Sequence, residues 1–445
     1  MTNMIILGAG ESGIGAAILA AKHGHPVFVS DAGKIAEKYK SVLIEKGIDF
    51  EEGRHSEERI LRAEEVMKSP GIPDKSSLVK QIRSKGIPVI SEIELAFRYK
   101  GDSRIVAITG SNGKTTTASM TFHICQHGGL DCALVGNIGV SMARQVAEDP
   151  KSWYIAEISS FQLDDIHSFR PDISILTNIT EDHLDRYDYK FENYISSKFS
   201  IVKNQTKEDF FIYCADDPVI SEHIKNYHFQ PHTLPYTMQQ EPNQGGSIRN
   251  GQMNLQAGSE NMKMSIYDFA LKGIHNQYNT LAAGLAAVTI GIRKDKIREA
   301  VESFESLEHR MEYVSTVRGV EFINDSKATN VNSTWYALES MLKPVVLILG
   351  GIDKGNDYEL MRSLVKDKVK AIVCMGLDNR KIHEAFKDDV PMIVNTASAS
   401  EAVKTSFQLA EKGDIVLLSP ACASFDLFKN YEDRGRQFKD AVRDL

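Results

Sequence analysis

The sequence predicts an α/β protein of three domains, and three observations carry that expectation. A chain of 445 residues is longer than one hydrophobic core accommodates. Short apolar runs of strand length alternate with segments of helical period, the pattern of parallel sheets covered by helices. Two of those runs end in glycine-rich turns that open helices, at residues 8–15 and 109–115.

The elements follow in order. Met4–Leu7 reads as a strand, Gly8-Ala-Gly10-Glu-Ser-Gly13 as a turn, and residues 14–23 as a helix. Residues 27–30 form a second strand ending at Asp31, and Glu65–Lys68 and 88–90 continue the alternation. Ser91 opens a helix leading out of a Rossmann-like domain, placed at 1–93. The second domain, 94–306, begins with the strand Ile105-Val-Ala-Ile108; further strands are expected at 133–135, 153–158, 173–178 and Phe210–Cys214. Together they make a largely parallel sheet of the P-loop ATPase type. Residues 230–265 turn polar and rich in Gly, Asn and Gln, and read as hairpins appended to that sheet; 273–291 is a buried Ala/Leu-rich helix. The third domain, 307–445, is Rossmann-like again, with strands at Val320–Asn324, Val345–Leu349, 371–375 and Ile415–Leu418.

Composition narrows the function classes. A formal net charge of −8 gives no basic field, so neither a nucleic acid nor a membrane surface is an expected partner. The five cysteines stand singly, with no Cys-x-x-Cys pair, which fits a reduced cytoplasmic setting without a disulfide frame or zinc site. No signal peptide is expected from Met1–Gly8, which lacks a basic leader, no apolar run reaches membrane-spanning length, and a monomer is expected.

The first glycine turn has the spacing of a dinucleotide fingerprint, with Asp31 ending the second strand as the acidic partner. A uridine diphosphate satisfies the same donors as NAD does. The second turn, Thr109-Gly110-Ser111-Asn112-Gly113-Lys114-Thr115-Thr116, is a shortened P-loop, since Ile108 stands where the first glycine belongs. Its backbone would cradle the phosphates of ATP, Lys114 would reach the outer ones, and Thr115 would sit on Mg2+. A dehydrogenase has no use for such a loop. Glu157 at the end of one strand, His183 after the next, and Lys198 on the following helix complete a plausible magnesium–ATP site with Thr115. Beyond them, His309-Arg310 stands at a domain handover, where an arginine could reach the transferring phosphate. The polar strand ends 324–330, 349–354 and 418–424 suggest a small-ligand site.

These stretches resemble the ATP-dependent Mur ligases. The shortened loop is shared with their folylpolyglutamate synthetase relatives. Glu157-Ile-Ser-Ser-Phe-Gln-Leu163, Thr180-Glu-Asp-His-Leu-Asp-Arg-Tyr187, Asn324-Asp-Ser-Lys-Ala-Thr-Asn330 and Ser419-Pro-Ala-Cys-Ala-Ser-Phe-Asp426 are more selective, and the likeness runs from Gly8 to about Arg436. The resemblance implies a ligase joining D-glutamate to UDP-N-acetylmuramoyl-L-alanine through an acyl phosphate; a relative adding another amino acid, or a non-catalytic nucleotide sensor, are the other readings. It implies that Lys114, His183, Lys198 and Arg310 are catalytic. Gly110, Ser111, Asn112, Gly113, Lys114, Thr115 and Thr116 would bind the phosphates, Asn276 and Asn279 the adenine side, Arg310 a phosphate and Asp325 the ribose. Thr115, Glu157, His183 and a carbamylated Lys198 would serve two Mg2+ ions. Ser12, Asp31 and Ser69 would lie near the uridine diphosphate, Asn137 near the muramoyl group, and Thr329, Lys354, Ser424 and Phe425 around the incoming glutamate.

Overall fold

The structure is a computed structural model and describes residues 2–226, 230–271, 273–304, 308–341 and 343–445. Three sheets organise the described chain. The first holds β1 (Met4–Leu7), β2 (Val27–Asp31), β3 (Asp49–Glu52), β4 (Glu65–Lys68) and β5 (Val89–Ile90), all parallel, in the order β3-β2-β1-β4-β5. β1 is buried along its whole length because Met-Ile-Ile-Leu offers apolar groups to both faces. The strand order reverses between β1 and β4, and the crevice outside such a switch point is where open α/β sheets take ligands. Gly8 and Ser69 occupy those two strand ends.

The second sheet holds β6 (Arg104–Thr109), β7 (Cys132–Gly136), β8 (Trp153–Glu157), β9 (Ile173–Leu176), β10 (Phe210–Cys214), β11 (His232–Thr237), β12 (Gly245–Arg249), β13 (Gln252–Ala257) and β14 (Glu260–Ser265). Its order is β14-β13-β12-β11-β10-β9-β6-β8-β7, parallel from β7 to β12 and antiparallel from β12 to β14. The expected hairpins are therefore only half of what 230–265 forms. β12–β14 is a meander, but β11 joins β10 in parallel, because Leu234 and Tyr236 are buried on the sheet while their polar neighbours disguise the strand. Ile248, Met253, Leu255, Met262 and Met264 alternate inward along the meander. The helix Ile274–Ile290 covers them, and at Gly284 a Cβ would meet Leu255 Cδ1 at 3.0 Å.

The third sheet holds β15 (Glu312–Val317), β16 (Val320–Asn324), β17 (Val345–Leu349), β18 (Val369–Met375), β19 (Ile393–Thr396) and β20 (Ile415–Leu418), in the order β15-β16-β20-β17-β18-β19. It is parallel apart from β15, which pairs antiparallel with β16. Apolar clusters pack on both faces, around Leu347 and Leu417 on one and Ile348 and Val416 on the other. The expected start of this domain near 307 lies outside the described residues.

By its contacts the chain divides into one unit of Met1–Ala270 with Asn276–Phe304, which holds the first two sheets, and another of Leu271–His275 with Glu305–Leu445, which holds the third. Inside the first unit two buried carboxylates of the helix Glu92–Tyr99 tie the sheets together. Glu92 accepts from Ser141 Oγ (2.7 Å) and the Ala143 amide, and Glu94 from the amides of His167, Ser168 and Phe169. Among the described residues no helix is long and apolar enough to cross a membrane.

Candidate active site

The P-loop is the part of the site most completely built. β6 delivers Gly110 at φ 144° and Gly113 at φ 80°, and the helix Lys114–His127 starts immediately after. Glycine is required at both places: a Cβ on Gly110 would fall 2.0 Å from Thr177 Oγ1, and one on Gly113 would fall 2.4 Å from Asn279 Oδ1. The turn is braced from β9. Ser111 N donates to Asn178 O (2.8 Å), Asn112 N to Asn178 Oδ1 (2.8 Å), and Thr177 Oγ1 to Asn112 O (2.6 Å). Lys114 curls over the loop, its ammonium donating to the carbonyls of Gly110 and Ser111 at 2.7 Å each. Thr115 and Thr116 are buried in the first turn of the helix. Asn276 and Asn279 come to the same place: Asn279 Nδ2 donates to Asn276 Oδ1 (3.3 Å), and Thr117 Oγ1 donates to Asn279 Oδ1 (3.2 Å).

Glu157 ends β8 beside β6, 1% exposed, and accepts from Asn137 Nδ2 at 2.8 Å. Lys198 is buried behind the P-loop strand, with Nζ 3.2 Å from Thr109 Oγ1. Burial first, and then the charge of Lys114, push its pKa well below that of a free lysine; Asp182, Glu157 and Asp164 oppose the shift. His183 sits at φ 53° with its ring 3.6 Å from an Asp182 oxygen and edge-on to Phe161 at 5.1 Å. Among the described residues no group of three His, Cys, Asp or Glu side chains is assembled to hold a metal by itself. The donors present, a threonine hydroxyl at a helix start, a buried carboxylate and an imidazole, suit a hard cation that takes its remaining oxygens from phosphates and water.

The first glycine turn is built differently. Gly8 adopts φ 90°, Gly10 caps the helix Glu11–Lys22, and Ser12 lies in its first turn. That helix starts three residues before the expected Ile14, since Gly10 already serves as its cap. Asp31 closes over the turn, accepting from Ala9 N (2.7 Å) and Gly33 N (2.8 Å). Ser69 packs from β4, its amide on Leu7 O (2.9 Å) and its hydroxyl on Gly8 O (3.4 Å).

In the other unit, Asp325 is buried at the end of β16. It accepts from Ser419 Oγ (2.8 Å) and faces the charge of Arg310. Burial outweighs both and raises its pKa to about 7. The loops carrying Lys354 and Ser424 are joined by the Ile352–Ala423 bridge, with amide bonds of 2.8 and 3.2 Å. Ser424 is buried there, whereas Lys354 and Phe425 are exposed, Phe425 by 68%. Thr329 is half-buried just before the helix Val331–Glu339. Lys327 rests its ammonium 5.3 Å from the Tyr431 ring centre.

Sequence reasoning passed over the residues that hold this site rather than face a ligand. Thr109, Thr177 and Asn178 brace the P-loop; Arg434, fully buried, donates to the Ser326 carbonyl (2.8 Å) and to the Cys422 carbonyl (3.2 Å) beneath the strand-end loops. Thr109 and Asn178 stood within quoted stretches without a role assigned to them, whereas Thr177 and Arg434 lay outside every quoted motif.

A glycine turn with its lysine at the end of a central parallel strand defines a P-loop α/β protein. Three family models then cover the chain in turn: the Mur ligase MurD-like N-terminal domain over residues 2–91, the Mur ligase middle domain over 108–287, and the Mur ligase glutamate ligase domain over 309–422. The chain belongs to the Mur ligase family. It is 52% identical, over 99% of each chain, to a Christiangramia forsetii protein named UDP-N-acetylmuramoylalanine–D-glutamate ligase. A Bacteroides fragilis protein of the same name is 51% identical over the full length of both chains. Among solved structures, the UDP-N-acetylmuramate-alanine ligase MurC of Thermotoga maritima aligns over 100% of each chain with a TM-score of 0.63 at 17% identity, which establishes the shared fold. The pseudomurein peptide ligase type C of Methanothermus fervidus does the same at 0.64 and 20%.

Proposed function

We propose that this chain joins D-glutamate to UDP-N-acetylmuramoyl-L-alanine with ATP as energy source, in making a cytoplasmic peptidoglycan precursor. The observation that carries this reading is the full-length likeness, at about half identity, to relatives named for that reaction. The site supports it. Residues 110–116 would hold the ATP phosphates, with Asn276 and Asn279 on the adenine side and Arg310 and Asp325 assigned to phosphate and ribose. Ser12, Asp31 and Ser69 would hold the uridine diphosphate, Asn137 the muramoyl side, and Thr329, Lys354, Ser424 and Phe425 the glutamate.

Thr115, Glu157, His183 and an N-carboxylated Lys198 would hold two magnesium ions. Bound magnesium supplies charge neutralisation on phosphoryl oxygens. The depressed pKa of Lys198 supports its part, because only a neutral amine adds CO2, losing a proton and turning a cation into an oxygen ligand. A carboxylate oxygen of the UDP-sugar attacks the γ-phosphorus and ADP leaves, while Lys114 stabilises charge on the transferred group. The amine of D-glutamate then attacks the acyl carbon, phosphate departs with the carboxylate oxygen, and the amine proton is lost.

Phosphate release measured with UDP-N-acetylmuramoyl-L-alanine and ATP against a panel of D- and L-amino acids tests the proposal. D-glutamate alone should support turnover. Release that depends instead on L-alanine or diaminopimelate, or no release at all, would overturn it.

A further inference from the structure

The loop that carries His183 is held by the first sheet. It leaves β9 and turns through Leu184–Arg186, with His183, Asp188 and Tyr189 at φ 53°, 55° and 56°. Such residues persist outside glycine only where surrounding contacts enforce them. Arg186 supplies the contacts. Its Nη2 donates to Pro70 O (3.1 Å) and Ile72 O (3.3 Å), and its Nη1 to Gly71 O (3.5 Å). The same guanidinium lies 4.3 Å from the centre of the Phe161 ring, and Phe161 meets His183 edge-on and stacks on Tyr187 at 6.0 Å and 15°. Lys75 adds a second strap, Nζ to Asp185 O at 3.4 Å.

At its other end this chain of contacts reaches the first glycine turn. The 69–72 turn that Arg186 grips begins at Ser69, whose Oγ would stand 2.7 Å from a Cβ on Gly8. The base of the His183 loop is bonded to the P-loop: Thr180 N donates to Ser111 Oγ and Ser111 Oγ to Thr180 O, both at 2.9 Å. A planar fork that binds three carbonyls of one turn and stacks on a ring is a task for arginine and not for lysine.

We propose that Arg186 is a positioning residue coupling the two glycine loops: a diphosphate on the first loop fixes the 69–72 turn, and through Arg186 and Phe161 that turn fixes the His183 loop against the P-loop. This rests on the proposed reading of the first loop as the UDP-sugar site and of the second as the magnesium–nucleotide site. Coupling of this kind is reciprocal, each ligand tightening the other by the same factor.

Calorimetric titration of the full chain tests it, with UDP-N-acetylmuramoyl-L-alanine and the magnesium complex of a non-hydrolysable ATP analogue, each alone and in the presence of the other. In the wild type each ligand should tighten the other by about tenfold. Arg186→Met should abolish that factor while leaving both single-ligand affinities near wild type, and Arg186→Lys, which keeps the charge but not the fork, should behave like Arg186→Met. The inference is overturned if the wild type shows no coupling, if Arg186→Met keeps it, or if both single-ligand affinities collapse together, as they would for a mere prop. Coupling without turnover on D-glutamate would instead overturn the function and leave Arg186 in its role.

Discussion

At the end of β1 and at the end of β6 the chain makes the same move: a buried strand, a glycine turn, a helix. The side chains bonded directly to the two turns carry opposite charge. At β1 the turn donates an amide to the carboxylate of Asp31, and the helix opens with Glu11. At β6 the helix opens with Lys114, whose ammonium lies on the turn, and a second lysine, Lys198, is buried behind it. Each turn, on the proposed reading, would offer backbone amides and a helix start to phosphate oxygens. On the proposed reading the flanking charges match the two ligands: a diphosphate whose ribose would offer hydroxyls to Asp31 at the first, and a more highly charged phosphate chain with its metal at the second.

Lys114→Ala should break the second loop most severely, lowering kcat by about a hundredfold or more, the usual loss on removing one electrostatic contact to a transferring group. Its affinity for the UDP-sugar alone should not change, and a variant with near-normal turnover in a steady-state assay would erase the distinction drawn here. The two turns should also differ in mechanical tolerance. Gly110→Ala places a Cβ against Thr177 Oγ1, which is pinned by its 2.6 Å bond to Asn112 O, and should cost about 2–4 kcal/mol in urea unfolding. Gly8→Ala meets Ser69 Oγ at 2.7 Å, which can rotate away, and Ser69 Cβ at 2.9 Å, which must shift by a few tenths of an ångström, and should cost about 1–3 kcal/mol.

Lys68 at the end of β4 is buried but paired with Asp165 at 3.0 Å, whereas burial lowers the pKa of Lys198 behind the second loop, so pH should act there. Lys198 is neutral-favoured in the fold and titrates normally in the unfolded chain, which then binds more protons below the ordinary lysine pKa. Stability of the ligand-free chain, in buffer freed of CO2, should therefore fall as pH drops from about 10 towards the depressed folded value. Lys198→Met should flatten that dependence in thermal melts. The smallest effect belongs to the first loop. Asp31→Asn keeps only one of the two amide bonds, because they fall on different carboxylate oxygens and the Asn amide nitrogen cannot accept, and should raise KM for the UDP-sugar about five- to tenfold with kcat unchanged.

The strands nearest the chemistry were legible because they are short, apolar and buried on both faces, as Ile105–Ile108 and Val345–Leu349 are. The elements missed are edges. β3 reads Asp-Phe-Glu-Glu and β15 is half exposed, so neither has an apolar run to announce it, and β19, with only the short run Met392-Ile393-Val394, closes the third sheet with one side open. The residues proposed to face a ligand could be named where a motif keeps them together in sequence, as 110–116 does. Arg186, Phe161 and the 69–72 turn come from two different sheets, and nothing local in the sequence records that they meet.

The central claim is that the second loop spends ATP on activating a carboxylate. UDP-N-acetylmuramoyl-L-alanine labelled with oxygen-18 in its carboxylate tests this directly, by mass spectrometry of the phosphate released with ATP and D-glutamate. An acyl phosphate carries one labelled oxygen into every phosphate formed. Unlabelled phosphate, with its oxygen drawn from water, would contradict the account.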